Sequence, residues 1–401
     1  MIQLLSCLAL GATLRVGVDG DTVQATIDAA QPGDVIEIPA GEWAGDVRVD
    51  KTVTLKGRGG VITSFTGKTV VVAAPNVVLD NLKIVGSGRD LTTTDSCVYF
   101  EPQATDAIIR DSSVSDCLFG IWIHTTHGVQ VLDNHVVGRA GLRDSDRGNG
   151  IHLFDADGLV VSGNLVEHSR DGVYVSATEN SLIAGNHVSH MRYGIHYMFS
   201  YDNEIRDNVA THNIGGVALM SSFRLKVHGN VATDNKKHGL FFRDIQYCDI
   251  HHNTVQRNGE GLFFYSSLDN KIHHNLVQAN DRGARIWAGT ERNEVWANSF
   301  VGNRQQVYYV ARDDQTWGTK EGGNHWSDYI GWDHDGDGLG DRPYRVDSMT
   351  SGLLHAHPEA VLLLGSPSLE LLRQVQTKIP ALRVPTIIDT QPVIKSTLET
   401  L

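Results

Sequence analysis

Proline is scarce in this sequence, 10 of 401 residues, and cysteine scarcer, at four. Cys7, Cys97, Cys117 and Cys248 form no CxxC pair, which argues against a zinc module. They are also too few and too scattered for a disulfide framework, and they read as buried or idle thiols. Basic charge is in short supply: 34 Lys and Arg against 47 Asp and Glu give a formal net charge of −13. That balance disfavours nucleic acid as the main ligand, because phosphate binding relies on cationic side chains. No apolar run reaches the roughly 18 residues of a membrane-spanning helix. A GxSxG elbow and a phosphate loop are both missing, so neither chemistry is indicated.

Glycine, by contrast, is plentiful and periodic. It stands at 120, 150, 172, 194, 216, 239, 261 and 283, with gaps of 22 or 23 residues after one gap of 30. The long gap is one coil plus an insertion around Leu142–Arg147. A second marker keeps step: Asn stands at 134, 164, 186, 208, 230, 253, 275 and 298, 14 residues after each glycine and 15 after the last. Such a period signals a solenoid. It is too short for helix-pair repeats, and the leucine-rich pattern LxxLxLxxN is absent. The segments after each glycine (GIWIHTT, GIHLFDA, GVYVSAT, GIHYMFS, GVALMSS, GLFFRDI, GLFFYSS, GARIWAG) read as short strands closed by turns. The expected fold is all-β: a right-handed parallel β-helix of about 22-residue coils, with a C-terminal Asp-rich loop and a helical or extended tail.

Positions +1 and +3 from each glycine are aliphatic or aromatic, from Ile121 and Ile123 to Ala284 and Ile286, and share one strand face. They are the expected core, each aliphatic worth about 1.5–3 kcal/mol on burial. The marker asparagines are expected to stack as an amide ladder that pairs turn backbone groups.

Positions +2 and +4 point the other way and are rich in aromatics, His and Met, including Trp122, Phe241, Phe263 and Trp287. An outward apolar face of this extent marks a binding surface, unless a loop or terminal segment packs over it. Met198 and Met220 hold the same position in adjacent coils, about 5 Å apart. His196 is two residues before Met198. Thioether plus imidazole suits Cu(I); the plainer alternative is gap-filling methionines beside an interface histidine. A second column places His228, His251 and His273 two residues before the marker Asn, with His252 and His274 one before it. It reads either as a weak divalent-metal surface or as a polar one. The +2 and +4 columns contain no carboxylate, and glycosidic hydrolysis needs two. A lyase or epimerase using Tyr, His and Arg stays open.

After the solenoid, Asp333, Asp335, Asp337 and Asp341 fall at positions 1, 3, 5 and 9 of an EF-hand-like loop with Gly338 at 6, but Tyr344 occupies the acidic position 12. This suggests a calcium-like loop or an Asp-rich turn without an ion. Residues 369–379, with Leu369 and Leu372, read as a helix capped by Ser368 and stopped by Pro380. At the other end, residues 1–13 carry the run Leu4–Leu10, similar to the apolar region of an export signal, and residues 23–30 read as a capping helix. The expected organisation is a possible signal segment at 1–13, a capped β-helix at 14–320, the calcium-like loop at 321–350 and an apolar docking tail at 351–401.

Three stretches resemble the NosD family: GIHYMFSYDNEIRDN with GVALMSS, then NHWSDYIGWDHDGDGLGDRPYR, then SPSLELLRQVQTKIPALRVPTIIDTQPV. Members of that family are periplasmic β-helix proteins of the copper-maturation machinery of nitrous oxide reductase. The resemblance implies a non-catalytic adaptor that handles copper, as transient Cu(I), for apo nitrous oxide reductase. Its implied partners are the membrane subunit of an ABC transporter with its ATPase, and a copper chaperone lipoprotein. It also implies attachment to the inner membrane through that transporter, with the SPSL tail as the docking arm. His196, Met198 and Met220 fall inside the resembling stretch. The competing reading is a polysaccharide-binding or polysaccharide-modifying β-helix.

Overall fold

The computed structural model describes residues 11–396 apart from 288, 311–312, 321, 347–358, 360–365, 369–370, 372–374 and 376–384. The fold is an all-β parallel solenoid with coils of about 22 residues. The chain divides into two compact units, residues 1–188 and 189–401.

The first unit begins earlier than the glycine markers indicate. Its opening strand, Thr13–Arg15, pairs in parallel with Val35–Ala44, which pairs in parallel with Thr54–Thr63. Between the first two lies the helix Val23–Ala29, started by the Thr22 hydroxyl, which accepts from Ala25 N at 3.1 Å. Lys51 Nζ donates to the carbonyls of Ile27, Asp28 and Ala30 at 2.7–3.1 Å, placing a cation at the negative helix end. Val23 and Ile27 are buried, so the helix covers the open end of the first coils. The full repeat follows, as in Phe119–His124, Gln130–Leu132 and His135–Gly138, in register with Ile151–Asp157, Val160–Ser162 and Leu165–Glu167.

Cys97 and Cys117 depart from the idle-thiol expectation. They form a disulfide with Cα atoms 5.6 Å apart. They lie on different strands, Ser96–Phe100 and Ser113–Cys117, whose ends the 20-residue path round the coil brings side by side. Cys248 is free, and burial pushes its thiol up to about 12.

In the second unit the glycine strands Tyr193–Met198, Gly215–Met220, His238–Arg243, Glu260–Tyr265, Arg282–Ile286 and Gln305–Tyr309 pair in parallel, each with the next. The core columns are as expected: Ile195, Tyr197, Val217, Leu219, Leu240, Phe242, Leu262 and Phe264 are at most 3% exposed. The glycine recurs because coils touch there. A Cβ at Gly261 would stand 2.5 Å from the carbonyl oxygen of Gly283, and one at Gly239 2.3 Å from Val255 Cγ1.

The asparagine ladder is present in both units. Asn134 N and Asn164 N donate to the side-chain oxygens of Asn164 and Asn186. The series Asn208, Asn230, Asn253, Asn275, Asn298 and Asn324 repeats this at 3.0–3.1 Å. A second ladder, Asn213, Asn235, Asn258, Asn280 and Asn303, runs parallel at 2.9–3.0 Å. Its 22-to-23-residue spacing was there to be read, five residues after each marker.

The last coil is closed by a segment far along the chain. Ile387–Asp389 pairs in parallel with Gln315–Trp317 and antiparallel with Tyr344–Arg345. Asp389 Oδ2 accepts from Asn324 N at 2.6 Å, Asn324 Nδ2 at 3.1 Å and Trp326 Nε1 at 2.9 Å. Asp389 is fully buried, and burial pushes its carboxyl above the ordinary range although these N–H donors pull it back. The expectation of a docking tail through residue 401 is therefore corrected for residues 387–393, which cap the solenoid. Leu369, Leu372 and most of the expected helix 369–379 lie outside the described residues, as does most of the expected signal segment.

Replacing Asp389 by Ala leaves three buried donors unmet, and a cost of about 3 kcal/mol is expected. Urea unfolding followed by tryptophan fluorescence measures it. A variant within about 0.5 kcal/mol of the parent removes the capping role.

Candidate functional site: the outward side of the glycine strands

Strand alternation places His196 and Met198 on one side of Tyr193–Met198. Met198 pairs in register with Met220, and His196 with Ala218. The two thioethers are therefore direct neighbours across one coil step. Ala218 supplies no more than a methyl group beside His196. The His196 ring lies 4.9 Å from that of Tyr193, and its Nδ1 is 3.4 Å from an Arg192 guanidinium nitrogen. The sequence pattern suggested an open face. Instead Ala218 is fully buried, His196 and Met220 are only 6% and 8% exposed, and Met198 is half-buried. Large side chains in register shield one another from water.

Further along this unit the same face becomes aromatic and charged. Phe241 and Phe263 stack at 4.9 Å, with Trp287 edge-on to Phe263 at 6.3 Å. The Arg285 guanidinium lies over Trp287 at 4.3 Å and over Phe263 at 5.0 Å. In the first unit Trp122 is walled in by His152, stacked at 3.7 Å, and by Phe119, edge-on at 4.7 Å. Burial drives the His152 pKa down to about 3, so that imidazole is neutral.

Sequence reasoning missed Glu260. It precedes its glycine, a position left out of the carboxylate count, and it sits among basic groups. Its carboxylate meets Arg285 at 2.8 Å, Arg282 at 3.0 Å and His238 at 3.0 Å, and the residue is 6% exposed. Burial acts against its charge, but His238 and Arg285 outweigh that and hold the carboxyl down to about 2. A carboxyl so acidic cannot serve as a proton donor near neutral pH.

The Asp-rich loop brings together three of its four expected carboxylates. Ligand oxygens of Asp333, Asp335 and Asp337 lie within 4.8 Å of one another. Asp333 accepts from Gly336 N at 2.6 Å and Gly338 N at 2.9 Å. Asp341 turns elsewhere and accepts from His334 N at 2.6 Å.

A family model described as periplasmic copper-binding protein (NosD) matches residues 132–331. A "Probable ABC transporter binding protein NosD" of Pseudomonas aeruginosa is 40% identical over 410 residues, covering 98% of this chain and 95% of that protein. The chain belongs to the NosD family. A protein of the same description from Stutzerimonas stutzeri is also 40% identical, over 91% of this chain and 87% of its own length. Among solved structures, a Yersinia enterocolitica family 28 exopolygalacturonase superposes with a TM-score of 0.59 at 11% identity, over 75% of this chain and 77% of that one. That likeness shows the solenoid alone, since unrelated chemistries share one fold. No described helix of this NosD-family chain is long and apolar enough to cross a membrane.

The Glu260 cluster carries a pH dependence. The folded carboxyl sits at about 2, below the ordinary 4.5, so its contribution is complete above pH 4.5 and lost as pH falls toward 2. The loss amounts to about 3 kcal/mol. Urea unfolding at intervals from pH 6 to pH 2 should show this slope, reduced in Glu260→Gln. Equal slopes in the two proteins would refute it.

Proposed function

We propose that this chain is a non-catalytic periplasmic adaptor that handles copper for the maturation of nitrous oxide reductase. In this reading it works with an ABC transporter and a copper chaperone lipoprotein, and transient Cu(I) is its cargo. The observation that carries the reading is the register pairing of Met198 with Met220, with His196 on the same side. Thioether sulfur and imidazole nitrogen form a donor set suited to Cu(I). Burial of Met220 and His196 limits water at the ion, while half-exposed Met198 leaves a side for arrival and departure. The family's description as periplasmic and copper-binding supports the cargo, and the relatives' naming as ABC transporter binding proteins supports the transporter. The acidic Glu260, clamped by two arginines, adds no proton donor for glycosidic hydrolysis, and the competing reading stays a polysaccharide-binding or lyase- or epimerase-like β-helix. The aromatic surface of Phe241, Phe263 and Trp287 is assigned to partner contact, as is Trp122 in the first unit. Residues 1–13 are assigned to export, and the segment with Leu369 and Leu372 to docking on the transporter's membrane subunit.

The test is a Cu(I) competition titration against a chromophoric chelator. Met198→Ala/Met220→Ala should weaken binding at least tenfold, about 1.4 kcal/mol. Binding unchanged by the double substitution would rule out this face.

A structural Ca²⁺ at Asp333, Asp335 and Asp337 belongs to the same proposal, supported by the convergence of their oxygens. Calcium should raise the Tm of chelator-treated protein and leave that of Asp335→Ala unmoved. An identical rise in both would refute the assignment.

A further inference from the structure

The second histidine column lies on a different sheet from the methionine pair. His228, His251 and His273 end the strands Lys226–His228, Asp249–His251 and Lys271–His273, in register across three coils. Their rings stack at 4.9 and 5.1 Å, nearly parallel, and Trp296 continues the stack on His273 at 4.3 Å. His252 and His274 form a second stack beside the first, at 5.0 Å.

Two features separate this column from a merely polar surface. Within each coil the two imidazoles converge. His251 Nδ1 stands 2.9 Å from His252 Nδ1, and His273 Nδ1 2.8 Å from His274 Nδ1. The cause is backbone geometry: His252 and His274 have φ of +52° and +53°, which swings each ring beside that of the preceding histidine. Second, carboxylates hold the back of the column. His273 Nε2 lies 2.9 Å from Asp249 Oδ1, and His228 Nε2 3.0 Å from Glu204 Oε1. A carboxylate accepting from Nε2–H leaves the Nδ1 lone pair forward, the arrangement that orients metal-bound histidines.

We infer that the paired imidazoles of His251–His252 and His273–His274 form a Cu(II) site, separate from the thioether site proposed for Cu(I). Two nitrogens about 2.0 Å from an ion and 2.8–2.9 Å from each other subtend about 90°, a cis pair of a tetragonal complex rather than a tetrahedral edge. Imidazole-only donors with this angle suit Cu(II), which heads the divalent affinity order. Two dications one coil apart would repel, so the column takes one ion at a time, with water completing its coordination.

The test uses the full chain titrated with a Cu(II) salt and read by electron paramagnetic resonance. An axial spectrum with nitrogen hyperfine structure at one Cu(II) per chain is expected. His252→Asn/His274→Asn should weaken binding at least tenfold and lose that hyperfine pattern. Asn suits the left-handed backbone there, as at Asn76, Asn81 and Asn180, and far-ultraviolet circular dichroism checks the fold. Met198→Ala/Met220→Ala should leave the Cu(II) signal intact. An unchanged spectrum and affinity in the histidine variant would overturn the inference, as would loss of the signal in the methionine variant. Because the Cu(I) titration reads the other face, the two proposals fail independently.

Discussion

Everything in this molecule depends on how each coil satisfies the turn of its neighbour. A buried turn cannot leave its amide groups unmet, and here the asparagine of the next coil accepts the backbone N–H of the one before it. That contact works only if every coil returns to the same point. Once it does, residues 22 or 23 apart become direct neighbours, and any residue type that recurs becomes a column. The paired methionines, the stacked phenylalanines and the histidine stacks are all consequences of that one hydrogen-bonding requirement. So is the need for a terminator: with no further coil among the described residues after Asn324, a carboxylate from Asp389 stands in for the next asparagine.

This explains what could be read from the chain. Core columns, marker glycines and the first ladder were legible because they are periodic, and period maps directly onto contact. Asp389 was not, because it reaches Asn324 across 65 residues by a tail that obeys no period. The Cys97–Cys117 disulfide fell between the two cases. It lies on the solenoid, but at a spacing of 20 residues it joins different strands of the coil and matches no repeating column. Glu260 was overlooked for a geometric reason. Simple alternation assigns the residue before the glycine to the core side, yet the Glu260 carboxylate meets Arg282, Arg285 and His238.

The Glu260 cluster also bears on what a carboxyl can do on such a fold. The solenoid is shared with a polysaccharide-cleaving enzyme, so the fold itself decides nothing. What matters is the protonation state that the surroundings permit. A carboxyl in an apolar setting becomes a proton donor, whereas one beside Arg282 and Arg285 becomes a fixed anion whose role is to hold guanidinium groups against Phe263 and Trp287. Here the charge pattern fixes the arrangement of an aromatic surface.

The same geometry constrains how a solenoid can hold an ion. Donors in one column are about 4.8 Å apart, the coil spacing. That is roughly twice a metal–sulfur bond of about 2.3 Å, so two flexible thioethers from adjacent coils can meet one ion between them. Imidazoles are rigid and stand closer to the backbone, so two rings stacked in a column face past each other. To converge they must come from one coil, and a left-handed residue such as His252 or His274 achieves that. Methionine across coils and histidine within a coil are thus two arrangements open to this architecture, and each leaves coordination positions for ligands from outside the chain.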